Sequence, residues 1–320
     1  MYRLCQSRTN HVHESNDRMM PSRLHDVDAV WNRHGLHPAS VWTTFACGMG
    51  WALPAVPKLT DEDCQQDGSG AGGRRLRIVA ISDTHNRHAD LQIPDGDVIV
   101  HAGDLTWGGS LEEVESFNAW LGSLPHKHKI VVAGNHDFSL DADVCTAEHW
   151  PHLHRNTVGG IPTLSGREVA ERYLTNCTYL CGETATIEGL EIYAVPHQQT
   201  IKVPGHTHKM AFNLDTEEQL ADEFAKIPET TDVLLTHGPP KGVGRLDRTM
   251  AGASVGSQSL RTRILQLGAV GRLKACVFGH VHEGYGASSL GSVTCINAAN
   301  VNIFYKATNP PIVFDVAIPS

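Results

Sequence analysis

No run of about 18 apolar residues occurs in this 320-residue chain, so a membrane-spanning helix is not expected. The opening MYRLCQSRTNHVHES lacks the apolar stretch of a secretory signal, which makes the cytoplasm the expected address. The eight cysteines contain no CxxC pair, the closest two being Cys177 and Cys181, and neither a zinc ribbon nor a disulfide framework is in view. They are read as reduced thiols, mostly packed as small apolar groups. Repeats at solenoid spacing are missing too. Basic charge is short where most of the chain lies. The first 75 residues hold eight Lys or Arg and eight Asp or Glu, so totals of 26 and 35 leave 18 against 27 for residues 76 to 320. The formal charge of −9 therefore belongs to that part. Polynucleotide backbones need many basic contacts and are not expected partners.

What is there begins at Leu76. Before it, the sequence shows no sustained helical or alternating pattern and runs through GSGAGG at Gly68 to Gly73. Residues 1–75 are expected to be a disordered extension with a Gly-rich linker, in which Trp31, Trp42, Phe45 and Trp51 leave room for a short docked piece. From Leu76, apolar runs rich in Val and Ile alternate with helical patterns, the signature of layered α/β architecture. Strands are expected at Leu76–Ile81, Asp97–Val100, Lys129–Ala133, Leu190–Val195, Asp232–Leu235, Ala275–Phe278, Val293–Ile296 and Ile312–Val316. Helices are expected over Leu111–Leu124 and Asp215–Ile227, opened by the capping boxes Ser110-x-x-Glu113 and Thr216-x-x-Gln219, and over Ser257–Leu267.

Five of the strand runs end in metal-ligating residue types. IVAIS runs into Asp83-Thr84-His85, VIVHA into Gly103-Asp104, IVVA into Gly134-Asn135-His136-Asp137, VLLT into His237-Gly238, and ACVF into Gly279-His280-Val281-His282. Carboxyl ends of parallel strands share one edge, so these groups are expected to converge although the sequence separates them widely. Two divalent ions about 3.5 to 4 Å apart clamp an in-line displacement at phosphorus and need one bridging carboxylate. Asp104 is the expected bridge. Asp83, His85 and His282 are expected to complete one metal site, and Asn135, His237 and His280 the other, with strand alternation aiming Asp-x-His and His-x-His at one centre. Only two of these seven side chains are anionic, so two ions leave a positive surplus that suits an anionic ester. The mixed donors suit Mn, Fe, Zn or Co better than Mg or Ca, which prefer all-oxygen shells. His136 is expected to protonate the leaving oxygen and, with Asn135, to bind the phosphoryl group. Asp137 either tunes His136 or caps a following turn.

Asp-x-His, Gly-Asp, Gly-Asn-His-Asp, His-Gly and Gly-His-x-His, in this order, resemble the calcineurin-like metallophosphoesterase superfamily over Leu76 to Ser320. The stretches ISDTH, HAGDLT, FNAWLGSLP, KIVVAGNHD, DVLLTHGPP, FGHVHEGYG and TNPPIVFD are similar to its small brain-type phosphodiesterase subfamily. The resemblance implies a four-layer α/β/β/α sandwich of two mixed sheets flanked by helices, a dinuclear Mn-type centre on the positions named above, and phosphodiesterase activity that includes cyclic nucleotides. It departs where family members carry tryptophans after the proline matching Pro196, since this chain has His197-Gln198-Gln199. No Asp-Arg-Gly follows Asp104, which disfavours a protein Ser/Thr phosphatase.

Other features are weighed against these. His101, inside an apolar run, reads as a buried hydrogen-bonded histidine. Gly205-His206-Thr207-His208 repeats the Gly-His-x-His pattern but follows no strand run, so His280 and His282 are preferred as ligands; His11 and His13 carry less weight still. Lys241, Arg245 and Arg248 reach substrate phosphate or form a solvated loop. The expected function is hydrolysis of small phosphodiesters at a two-metal site; the alternative is a nucleotide-binding or scaffolding protein with little turnover.

Overall fold

Continuous Val/Ile runs belong in strands covered on both faces, and all eight expected runs form strands. The computed structural model describes residues 74–145, 164, 166–200 and 209–319, all within the unit Ala52–Ser320. The expected extension, and His206 and His208 of the second Gly-His-x-His, lie outside the described residues.

The first sheet takes the parallel strands β1 (Arg75–Ile81), β2 (Val98–Ala102), β3 (His128–Val132) and β4 (Thr178–Tyr179). The chain then crosses to β5 (Glu183–Ile187) and β6 (Leu190–Val195), and forms a two-stranded ribbon of β7 (Gln198–Gln199) and β8 (Asn213–Leu214). Next come β9 (Val233–Thr236), β10 (Ala275–Phe278), β11 (Gly286–Leu290) and β12 (Val293–Asn297). The second sheet has the order β11-β12-β10-β9-β6-β5, its four inner strands parallel and its edges added as antiparallel hairpin partners. Finally β13 (Ile312–Ala317) returns to pair antiparallel with β1.

Alternation along each strand sorts the side chains into three cores. Ile78, Ala80, Val98, Val100, Ile130 and Val132 of the first sheet meet Ile192, Val233, Leu235 and Val277 of the second. The opposite residues of the first sheet, Val79, Ile81, Ile99 and Val131, pack on helices α1 (Leu111–Ser123) and α2 (Arg167–Tyr173). Those of the second, Leu234, Cys276 and Phe278, pack on α3 (Glu217–Ala225) and α4 (Gln258–Val270). The result is the four-layer α/β/β/α sandwich.

The helices start where their side chains dictate. Val114, Phe117 and Leu121 form the buried stripe of α1, and its capping box is closed by Glu113 N donating to Ser110 Oγ and Ser110 N donating to Glu113 Oε2. The same Glu113 carboxylate also accepts from Gly108 N and Asn86 Nδ2, tying the helix start to the loop after β1. Replacing Ser110 by Ala is expected to cost about 1 kcal/mol of unfolding free energy, read from the shift of the urea midpoint at unchanged slope.

Candidate metal centre

The two sheets are stitched where their parallel strands end. Ser82, just past β1, forms a parallel bridge with Ala299, and its N–H donates to Asn300 Oδ1 at 3.1 Å. All seven side chains expected as ligands meet beside this seam. His282 Nε2 lies 3.3 Å from Asp83 Oδ1 and 3.3 Å from His85 Nε2, so Asp83, His85 and His282 form one group. Asn135 Oδ1 lies 2.9 Å from His237 Nε2 and 2.7 Å from His280 Nδ1, which makes the second. Between them, Asp104 Oδ2 is 3.5 Å from His85 Nε2 and 3.4 Å from His237 Nε2, so one oxygen reaches both groups.

The convergence does not come from strand alternation as the sequence suggests. Asp83, His85, Asp104 and His280 all have left-handed backbone, with φ of 51°, 40°, 56° and 67°, and His282 opens a short 3-10 turn. Each strand has ended before its ligands begin, and the chain curls back through conformations that cost non-glycine residues on the order of 1–3 kcal/mol each. Neighbouring glycines make the space. A Cβ on Gly134 would collide with Asp104 Oδ1 and, at 2.7 Å, with His237 Cε1, while one on Gly279 would collide with the Asp83 carboxylate.

Three of the four ligand-type imidazoles are oriented by backbone carbonyls. Nδ1 of His85 faces Thr106 O at 3.1 Å, that of His237 faces Ala102 O at 2.9 Å, and that of His282 faces Asn302 O at 3.2 Å. A carbonyl only accepts, so each Nδ1 carries a proton and Nε2 is the nitrogen turned inward, the one that a metal would take on displacing its proton. His280 instead offers Nδ1. The charges are poised for a cation. Burial opposes ionisation of Asp83 and Asp104, yet the surrounding imidazoles hold both below the usual carboxylate range. Burial likewise disfavours charge on His237 and His282, but Asp104 and Asp83 raise both, His237 to about 9. His280 and His85, with burial dominant, stay low, His280 at about 3. Two carboxylates, an amide oxygen and four imidazoles thus fit divalent transition-metal ions.

Residues 76–284 match the family described as calcineurin-like phosphoesterase. The chain belongs to that family. Mouse Metallophosphoesterase domain-containing protein 1 is 35% identical over 95% of this chain and 91% of its own length, and the human protein of that name is 39% identical over the same shares. A UPF0046 protein of Caenorhabditis elegans is 36% identical over 77% of this chain and 82% of its own. Matches that take in 95% of the chain extend well before Leu76, where the expected likeness began. The chemistry of calcineurin-like phosphoesterases is metal-dependent hydrolysis of phosphoesters.

Other residues of this phosphoesterase also find their places. His136 donates its backbone N–H to Asp104 Oδ1 at 2.8 Å, and its ring Nδ1 faces Trp107 O at 2.8 Å. Asp137 neither touches the His136 ring nor caps the 3-10 turn that follows it. Its buried carboxylate accepts from Leu105 N, Thr106 N, Thr106 Oγ1 and Gly134 N, clamping the β2 and β3 loops together. Glu283 and Tyr285 point to structural partners, Met250 N and Pro310 O. Arg248 donates to Gly252 O, and Lys241 and Arg245 are exposed. The residues sequence reasoning missed are Thr106, Asn302, Trp107 and Tyr305. The carbonyl-contributing two have no side-chain signature, and the two aromatics stand outside the motifs.

His101 is buried as expected. Its Nδ1 accepts from Gly103 N and its Nε2–H meets Thr84 Oγ1 at 3.0 Å, while burial depresses its pKa to about 3. A neutral histidine in the fold that takes a proton near 6.5 when unfolded contributes stability present above pH 6.5 and lost as pH falls toward 3. In metal-free protein, His101→Gln is expected to flatten the decline of the urea midpoint between pH 7 and pH 5 relative to the unmodified chain.

Proposed function

We propose that this phosphoesterase hydrolyses small phosphodiesters, cyclic nucleotides among them, at a dinuclear centre. Asp83, His85 and His282 hold one cation, Asn135, His237 and His280 the other, and Asp104 bridges them, with Mn as the first choice of metal. The observation that carries this reading is the position of Asp104 Oδ2, within 3.5 Å of an imidazole from each group. When bound, the two cations supply Lewis acidity and positive charge toward the phosphoryl oxygens. Water supplies the oxygen of the new bond to phosphorus, and the remaining roles fall to the chain. The carbonyls of Ala102, Thr106 and Asn302 fix which ring nitrogen His237, His85 and His282 turn inward. His136 and Asn135 bind the phosphoryl group, and His136 delivers a proton from Nε2 to the departing oxygen while Nδ1–H stays on Trp107 O. A cytoplasmic address accords with the free thiols of Cys145, Cys177, Cys181, Cys276 and Cys295, the last two being cross-strand neighbours that remain unlinked.

Purified protein loaded with Mn²⁺ is expected to hold two ions per chain by elemental analysis and to hydrolyse bis(p-nitrophenyl) phosphate. His136→Ala is expected to keep the metal and lower kcat roughly a hundredfold or more. Asp104→Asn is expected to lose at least one ion. Failure to take up metal under any loading condition, or full turnover by His136→Ala, would overturn the corresponding assignment.

A further inference from the structure

We propose that Trp107 and Tyr305 form an aromatic wall on the His85 and His282 side of the centre and select phosphoesters whose organic group is a flat aromatic ring. The proposal rests on the phosphoesterase reading and names a preference within it. The two rings pack on each other with centroids 4.3 Å apart. Tyr305 stands edge-to-face against His85 at 4.9 Å and against His282 at 5.2 Å, and Trp107 lies 5.8 Å from His85 and 6.2 Å from His136. The wall therefore touches two expected ligands of one metal and the expected proton donor. Both residues are half-buried.

Their backbone is tied to the same histidines. Trp107 O accepts from His136 Nδ1, and the residue before it, Thr106, offers its carbonyl to His85. Tyr305 sits in a turn pinned at Asn302. That residue's carbonyl orients His282, and its side-chain Oδ1 accepts from Phe304 N at 2.9 Å and Lys306 N at 3.2 Å. Tyr305 N donates to Asn302 O at 2.8 Å, holding the tyrosine at φ 55°, a conformation unfavourable for a bulky side chain and maintained only where surroundings impose it. The adjoining Phe304 leaves 59% of its surface exposed, one of three large apolar residues so placed among the described residues. A polar metal centre does not need such rings to hold its cations. Aromatic pairs gain from offset or edge geometry over and above buried area, so a planar substituent gains more here than a saturated one of the same size.

The test compares phenylphosphonate with cyclohexylphosphonate, alike in charge and size, by calorimetry on the Mn-loaded full chain. In parallel, kcat/KM is compared for phenyl and cyclohexyl diesters sharing a p-nitrophenolate leaving group, so that leaving-group reactivity cancels. The native protein is expected to favour the phenyl member about fivefold in both measurements. Trp107→Leu and Tyr305→Leu are each expected to bring that ratio close to one while elemental analysis shows metal content unchanged. Equal treatment of both rings by the native protein, or an undiminished ratio in both variants, refutes the wall and leaves the phosphoesterase reading standing. Failure of both phosphonates to bind the loaded protein removes the wall, and only the further absence of turnover on both diesters removes the phosphoesterase reading with it.

Discussion

Two carboxylates, Asp83 and Asp104, sit almost entirely out of water at the seam between the sheets, and the rest of the site answers to them. A buried negative charge is costly unless it is paired and hydrogen-bonded. The side-chain partners closest to these two are imidazoles, and the backbone N–H groups of His280 and His136 complete their hydrogen bonds. No lysine or arginine among the described residues forms an ion pair with either carboxylate. Imidazole is a weak counter-ion that can give up its proton. The chain thus stabilises the carboxylates enough to fold around them, through partners whose protons a cation can displace. Ionised acids on one side and proton-shedding bases on the other are the conditions under which metal binding displaces protons.

That constraint accounts for which parts of the structure could be read from the sequence. Inner strands are covered on both faces, so β1, β2, β3, β6, β9, β10 and β12 appear as unbroken apolar runs and were locatable to within two residues. The edge strands of the second sheet are less covered. ETATI of β5 is largely exposed and GASSL of β11 carries two serines, so neither resembles a strand until its hairpin partner is known. The clustered side chains were legible because each follows a parallel strand, and the parallel strands of both sheets end at one seam. How they turn inward was not. Alternation along an extended chain predicts which side chains cluster but not how, since the left-handed φ of Asp83, His85, Asp104 and His280 is a local conformation that no periodicity encodes. The carbonyls of Ala102, Thr106 and Asn302 are equally silent, because every residue has one.

The stretch Gly134-Asn135-His136-Asp137 shows why such motifs are contiguous. Gly134 lets Asp104 and His237 approach closer than any side chain would permit, and its N–H is held by Asp137. Asn135 aims its amide oxygen at two imidazoles, and His136 uses its backbone for Asp104 and its ring for Trp107 O. Asp137, pushed up to about 7 by burial and by Asp104, is offset by four donors from two loops. These jobs cannot be dispersed. Asp137 fixes the distance between the β2 and β3 loops, and that distance sets whether Asn135 and Asp104 face the same space. A residue that never approaches the reacting atoms therefore decides whether the ligand side chains form one centre or two unrelated loop ends, and its closeness in sequence to Asn135 follows from that geometry.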